Sequence, residues 1–210
     1  MATTTKRKAS MADRVYNALK DEIFAFRLIP GDKFSEGDVG ARLKASRTPV
    51  REALYRLQRE GYVEVLFRSG WQVKPLDARQ VDELYDLRIA LERAAVDKLC
   101  ALPEPLPEFT LHRELDFHCE LVAAAGNREL TRIHGEVIDR LRFISCLVPP
   151  PRNHDVLVQA EHQKIISALQ ARKADDAGAQ LIQHIRSIQR VAREATKALQ
   201  GGQKIAPESA

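Results

Sequence analysis

Between Ser46 and Val73 the chain carries the pattern that most narrows its fold. Ser46 is a candidate N-cap, and Pro49 lies in a first helical turn, where a missing N–H does no harm. Val50, Ala53, Leu54 and Leu57 then recur at i, i+3, i+4 and i+7, and Gly61 ends the helix. Tyr62 to Leu66 and Trp71 to Val73 read as two short strands, with Phe67, Arg68, Ser69 and Gly70 turning between them. A helix joined to so small a hairpin needs cover from elsewhere, and the preceding residues supply it. Val15, Ala18, Leu19 and Ile23 share one helical stripe, and Pro30 and Gly31 make a turn. Ser35 with Asp38 then forms a capping box ahead of Val39 and Leu43. Three helices and a hairpin within about 60 residues is the order of a winged helix-turn-helix.

After Pro75 the strand signal disappears. Asp77 can cap a helix running to about Cys100, and Pro103, Pro105 and Pro107 break it. Helical patterns follow over roughly 110–125, 128–147, 156–171 and 174–199. The expected fold is therefore mainly α, an N-terminal winged helix-turn-helix plus a C-terminal all-helical bundle. The boundaries read as a disordered basic tail over 1–10, the winged domain over 11–75, the helical domain over 76–200 and a disordered tail over 201–210.

Composition excludes several other classes. In 210 residues, 44% hydrophobic content supports a core, while 30% charge with 10 Gly and 10 Pro is ordinary for a globular chain. The longest apolar run, Phe143 to Val148, is far short of the roughly 20 residues of a membrane helix. No apolar stretch follows Lys6, Arg7 and Lys8, so a secretory signal is not expected. Cys100, Cys119 and Cys146 are odd in number and form no CxxC pair, as reduced cytoplasmic thiols would be. The charge is uneven: residues 1–75 hold 15 Lys and Arg against 9 Asp and Glu, an excess of +6, while the remainder holds 18 against 20. A basic head on a slightly acidic body fits a partner that is a polyanion.

In a helix-turn-helix the third helix presents its N-terminal side chains to base edges in the major groove. Here Arg47 and Arg51 lie one turn apart, opposite the apolar stripe. An arginine fork can bond guanine O6 and N7 together, a contact worth roughly 1–3 kcal/mol of discrimination. Ser46 and Thr48 are placed for phosphate, and Arg42, Arg68 and Gly70 for backbone or minor-groove edge. The competing reading of Arg47 and Arg51 is a solvated basic face, and the capped helix, hairpin and local charge weigh against it.

The helical domain holds an unusual set of inward histidines. His118 shares a stripe with Leu111, Leu115 and Val122, His162 with Ile165, Ile166 and Leu169, and His184 with Leu181, Ile188 and Val191. Glu114 lies one turn before His118, while His112, His134 and His154 have no equally clean placement. One such histidine is ordinarily a hydrogen-bonded core residue. Three on three helices beside a carboxylate suit a divalent transition metal, and these donor types leave zinc, nickel, iron and manganese all open. Arg88 also falls on an inward face, with Glu92 or a carboxylate ligand as its anion, and Arg140 is a second anion contact or a structural ion pair.

Two sets of residues resemble a known family. Ser46, Arg47, Thr48, Pro49, Val50, Arg51, Glu52, Ala53 and Leu54, followed by Arg56, Leu57, Glu60 and Gly61, strongly resemble the GntR family of bacterial transcription regulators. Glu114, Phe117, His118, Leu121, Ala125, Gly126 and Asn127 resemble the signature of the FCD effector domain of its FadR subfamily. Glu161, His162, Ile165 and Ala168, then His184 and Ile185, are similar to its later histidine motifs, and Leu84, Tyr85, Leu87, Arg88, Leu91 and Glu92 to its opening helix. The resemblance implies operator contacts at Arg47, Arg51 and Gly70, with Arg42 a weaker addition, and metal ligands at Glu114, His118, His162 and His184. Three departures stand out. Gly37 replaces a DNA-contacting Arg of some relatives, and Glu114 stands where Asp is usual. The short, proline-bearing stretch from Cys100 to Thr110 leaves about five helices where six or seven are typical. A pocket more open than the family norm, or one completed by a neighbouring subunit, is the expectation.

The sequence thus predicts a non-enzymatic, cytoplasmic, homodimeric DNA-binding regulator, a repressor acting on a near-palindromic double-stranded operator. A small carboxylate effector would be sensed at the metal, with Arg88 and Arg140 as effector contacts. The rivals are a regulator whose metal is purely structural and a metal-dependent hydrolase with an accessory DNA-binding head.

Overall fold

The computed structural model describes residues 9–103, 105–111, 113–146 and 154–200. The chain divides into two compact units, with the boundary between Pro75 and Leu76. The expected tail over 201–210 and most of that over 1–10 lie outside the described residues, as do His112 and the side chain of His154.

The first unit runs α1 (Met11–Phe24), β1 (Lys33–Phe34), α2 (Glu36–Leu43), α3 (Arg47–Arg59), β2 (Val63–Leu66) and β3 (Gly70–Val73). Ser10, placed in the expected tail, caps α1 in a reciprocal box with Asp13, five residues ahead of the first buried position at Val15. Ser35 and Asp38 form the same box at α2, as their spacing predicts. Ser46 occupies the N-cap of α3, but its side chain makes no capping hydrogen bond. Val15, Leu19 and Ile23 of α1 and Val50, Ala53, Leu54 and Leu57 of α3 are at most 1% exposed. Burying a Val, Leu or Ile side chain stabilises by about 1.5–3 kcal/mol, so this α1–α3 core fixes the attitude of α3.

The sheet has order β1-β3-β2 and is antiparallel throughout. Val63 faces Val73 and Leu66 faces Gly70, while Phe34 of β1 faces Trp71. The sequence pattern misses β1, because two residues are too few to show a period of two. Gly70 has φ +93, and a Cβ there would sit 2.7 Å from the Phe34 carbonyl oxygen, so this position demands glycine.

The second unit is all-helical among the described residues: α4 (Ala78–Ala101), α5 (Glu114–Ala124), α6 (Arg128–Ser145), α7 (His154–Gln170) and α8 (Ala174–Gln200). Asp77 caps α4 through the Arg79 amide, and Asn127 caps α6 through the Leu130 amide. Pro103, Pro105 and Pro107 keep the segment between α4 and α5 out of helix. Its far end is tied to α5, since the Thr110 amide and hydroxyl both donate to Glu120 at 2.6 and 2.8 Å. One stripe is corrected: Val191 is 49% exposed, and α8 turns Leu181, His184, Ile185 and Ala192 inward instead. No helix among the described residues is long and apolar enough to cross a membrane.

Candidate functional site

In the first unit, the exposed face of α3 carries Arg47 and Thr48, whose side chains make no hydrogen bond or ion pair among the described residues. With the Ser46 hydroxyl also outside the cap, the N-terminus of α3 offers unsatisfied donors and a positive dipole end to an anion. Arg51 is 57% exposed in its side chain but is held by Glu36 at the start of α2, its Nε donating to both carboxylate oxygens at 2.9 and 2.7 Å. Arg42 pairs with Glu22 of α1 at 2.8 Å and is less available than its exposed position alone suggests. At the β2–β3 turn, Arg68 has φ 59 and its guanidinium lies 5.0 Å from the exposed Phe67 ring.

In the second unit, α5, α7 and α8 bring Glu114, His118, His162 and His184 together, one donor atom from each lying within 4.8 Å of all the others. His184 Nε2 stands 3.2 Å from His118 Nε2, 3.3 Å from His162 Nε2 and 3.0 Å from Glu114 Oε2. His162 Nε2 is 3.2 Å from the same Glu114 oxygen, and His118 Nε2 is 3.3 Å from Glu114 Oε1. The three imidazole side chains are at most 1% exposed, and Glu114 is 18% exposed. All four donors come from one chain and the cluster is nearly closed, where a more open pocket is one of the two expectations from the short 100–110 stretch.

The backs of the three rings explain how they are aimed. His118 Nδ1 meets Glu92 Oε2 at 2.5 Å, His162 Nδ1 meets the Leu111 carbonyl at 2.7 Å, and His184 Nδ1 meets Glu161 Oε2 at 2.6 Å. Each of these acceptors accepts only, so each Nδ1 carries its ring's proton and each Nε2 turns a lone pair toward the others. The Phe117 ring stacks on His162 with centroids 3.9 Å apart and fixes its plane. Three lone pairs and a carboxylate at such spacing repel unless a cation lies among them. Ligand atoms about 2.1 Å from one ion stand roughly 3.0–3.4 Å apart, so the donor set fits a divalent metal, and the carboxylate-backed imidazoles are the usual outer support of one.

The surrounding electrostatics are those of a buried anionic site. Burial alone would push the Glu114 carboxyl up, but the adjoining histidines outweigh it and hold the group well below the usual carboxylate range. Glu92 behaves likewise: burial raises it, and His118, Arg88 and His134 together bring it well below. Burial lowers His162, whereas at His184 burial, the largest single effect, is outweighed by Glu114 and Glu161 together, which raise it. Beside them, burial pushes the Tyr85 hydroxyl up to about 12.

Arg88 is fully buried, and two protein carboxylates meet it: Glu92, one of the two anions expected for it, and Glu114, which the sequence reading did not pair with it. Its Nε donates to Glu92 Oε1 at 2.8 Å and its Nη2 to Glu114 Oε1 at 3.0 Å. Its Nη1 alone has no partner among the described residues. Arg140 is half-buried on α6 and already engaged, so it is not a free anion ligand. Sequence reasoning passed over His134, which is 1% exposed and meets Glu92 Oε1 at 3.0 Å. It also missed Glu161 and the Leu111 carbonyl as ring supports. Glu161 directly precedes His162, and a carboxylate beside a ligand histidine was the available signal; a backbone carbonyl leaves none.

Residues 11–73 match the family described as bacterial regulatory proteins, gntR family, and residues 104–187 match the FCD domain. The Nta operon transcriptional regulator of Aminobacter aminovorans is 32% identical over 180 residues, covering 77% of this chain and 84% of that protein. The HTH-type transcriptional repressor RspR of Escherichia coli is 27% identical over 206 residues, covering 86% and 88%. Among solved structures, a GntR regulator from Rhodococcus sp. RHA1 superposes with a TM-score of 0.69 at 22% identity, covering 89% of this chain and 99% of that one. At that identity the last likeness speaks for the fold. These relatives are transcription regulators, which removes the hydrolase alternative. With a gntR-type head and an FCD effector domain in one polypeptide, the chain belongs to the GntR family of bacterial regulators and is a DNA-binding transcription regulator, not an enzyme.

Proposed function

We propose that the chain is a repressor that senses a small organic acid through a metal-containing helical domain. The observation that carries this reading is the convergence of Glu114, His118, His162 and His184, with every Nδ1 committed to an acceptor outside the cluster. These four residues would hold a divalent transition metal, whose chemistry there is that of a Lewis acid and fixed positive charge. Charge arithmetic supports an anionic effector. Counting the buried groups alone, with the 44%-exposed Glu161 screened by solvent, Arg88 is positive and Glu92 and Glu114 negative, leaving an excess of one negative charge that a divalent ion would turn into one positive. A single carboxylate restores neutrality, and the unpartnered Nη1 of Arg88 is a buried donor suited to it. Arg140, being engaged elsewhere, is the weaker effector contact.

In the head, Arg47 and Arg51 read base edges, Ser46 and Thr48 hold phosphate, and Arg68 and Gly70 carry the wing, with Arg42 in support. The chain works as a cytoplasmic homodimer, and two-fold protein symmetry calls for a near-palindromic operator. The word repressor in the name of RspR supports the sign of regulation. Effector binding would alter the spacing of the two heads through residues 73–80. The near-complete burial of the histidines favours a second reading, in which the ion is purely structural.

Thermal melting against a panel of small carboxylic acids, before and after chelation, separates the two. A stabilising shift by one class of acid that disappears on chelation supports sensing at the ion. Collapse of the melt on chelation, with no acid producing a shift, overturns the sensing role and leaves the structural one.

A further inference from the structure

Of the two arginines on the exposed face of α3, one is free and the other is gripped. Arg47 has no partner among the described residues, whereas Arg51 gives its Nε to both oxygens of Glu36 at 2.9 and 2.7 Å. Glu36 is well anchored for this. It is the first residue of α2, between Ser35 and Asp38 of the capping box, where the positive end of the helix favours a carboxylate. Its side chain is 22% exposed, against 57% for Arg51. Gly37 next to it brings no side chain of its own, and Arg42, the basic residue in the last turn of α2, is paired with Glu22. Arg51 is thus the cation that Glu36 holds.

A guanidinium is planar, and a carboxylate on Nε uses one side of it. The Nη1 and Nη2 hydrogens at the far end stay free, and they match O6 and N7 of guanine. We infer that Glu36 is a specificity-determining positioning residue: it locks Arg51 so that only the end of its fork meets a base. This inference rests on α3 being the helix that reads DNA. It has two consequences of opposite sign. Loss of the carboxylate frees Arg51 to rotate and to contact phosphate, so base discrimination falls. The same change removes a negative charge beside the DNA face, so binding to any duplex tightens.

The test uses the full chain and duplexes that the wild-type protein selects from a random-sequence library. Anisotropy titrations compare wild type, Glu36→Gln, Glu36→Ala and Arg51→Ala on the selected duplex, on copies with each guanine replaced, and on an unrelated duplex. The expected result is that Arg51→Ala erases preference at one guanine. Both Glu36 variants should lower preference at that same guanine by about tenfold, while binding the unrelated duplex more tightly than wild type. Circular dichroism confirms that each variant is folded, and a merely structural role for Glu36 would weaken all duplexes together. Wild-type discrimination in both Glu36 variants, with preference lost in Arg51→Ala, overturns the inference and spares the reading of α3. If Arg51→Ala also keeps every preference, or wild type selects no common sequence, the base-reading role of α3 falls and the inference with it.

Discussion

Replacing Glu92 with Gln tests the buried network behind the metal cluster. Three nitrogen groups converge on this carboxylate: His118 Nδ1 at 2.5 Å, Arg88 Nε at 2.8 Å and His134 Nε2 at 3.0 Å. An amide offers one oxygen where the carboxylate offers two, so its NH2 must face at least one of these donors. Removing one partner of a buried ion pair costs about 3–5 kcal/mol. Arg88 keeps its contact with Glu114 at 3.0 Å, which places the loss near the low end of that range. A loss of about 3 kcal/mol corresponds to a fall of roughly 10 °C in the melting of a domain this size. Because Glu92 also orients His118, metal affinity should weaken by about 10- to 100-fold. The chain has a single tryptophan, Trp71, which lies in the head and serves as an internal control. Its fluorescence transition should stay in place while the helical signal in circular dichroism moves down, and chelator competition reads the metal affinity. A helical melt within about 2 °C of wild type, together with unchanged metal affinity, would refute the reasoning.

Three further outcomes follow from the geometry. Gly70→Ala forces a Cβ to 2.7 Å from a backbone oxygen at φ +93; the head should lose about 1–3 kcal/mol in denaturant unfolding followed by Trp71, and operator binding should weaken with it. Arg47→Ala and Arg51→Ala should each cost about 1–3 kcal/mol of discrimination between a selected duplex and its guanine-substituted copies; equal loss on all duplexes would mean phosphate contact instead. Acid should destabilise the helical unit. Glu92 and Glu114 have folded-state values below the ordinary 4.5, so their contribution is complete above that pH and is lost as pH falls through the folded values, where the unfolded chain binds more protons. Denaturant unfolding of wild type and Glu92→Gln from about pH 6 to about pH 3 should show a shallower acid loss in the variant.

What the sequence by itself determined is the set of elements and the faces they bury. The stripe of Val50, Ala53, Leu54 and Leu57 located α3 and its core side, and all four are buried. Capping chemistry located the start of α2. The inward placement of His118, His162 and His184 was legible because each shares a helical face with apolar neighbours, and local periodicity records which side of a helix is removed from water. The short strand β1 and the outward turn of Val191 were not legible. Two residues show no period, and at 3.6 residues per turn Val191 lies about 80° round the helix from Leu181, on the flank of the face that Leu181, Ile185 and Ala192 bury.

Only the tertiary structure decided what those faces meet. Glu92 receives His118 from 26 residues away, the Leu111 carbonyl receives His162 from 51, and Glu114 meets His184 across 70. Glu36 grips Arg51 across 15 residues and a change of helix. A residue's own neighbours in sequence fix its direction on an element. The partner it finds depends on how helices cross, and that is set by the packing of the whole core, where no local pattern can be read.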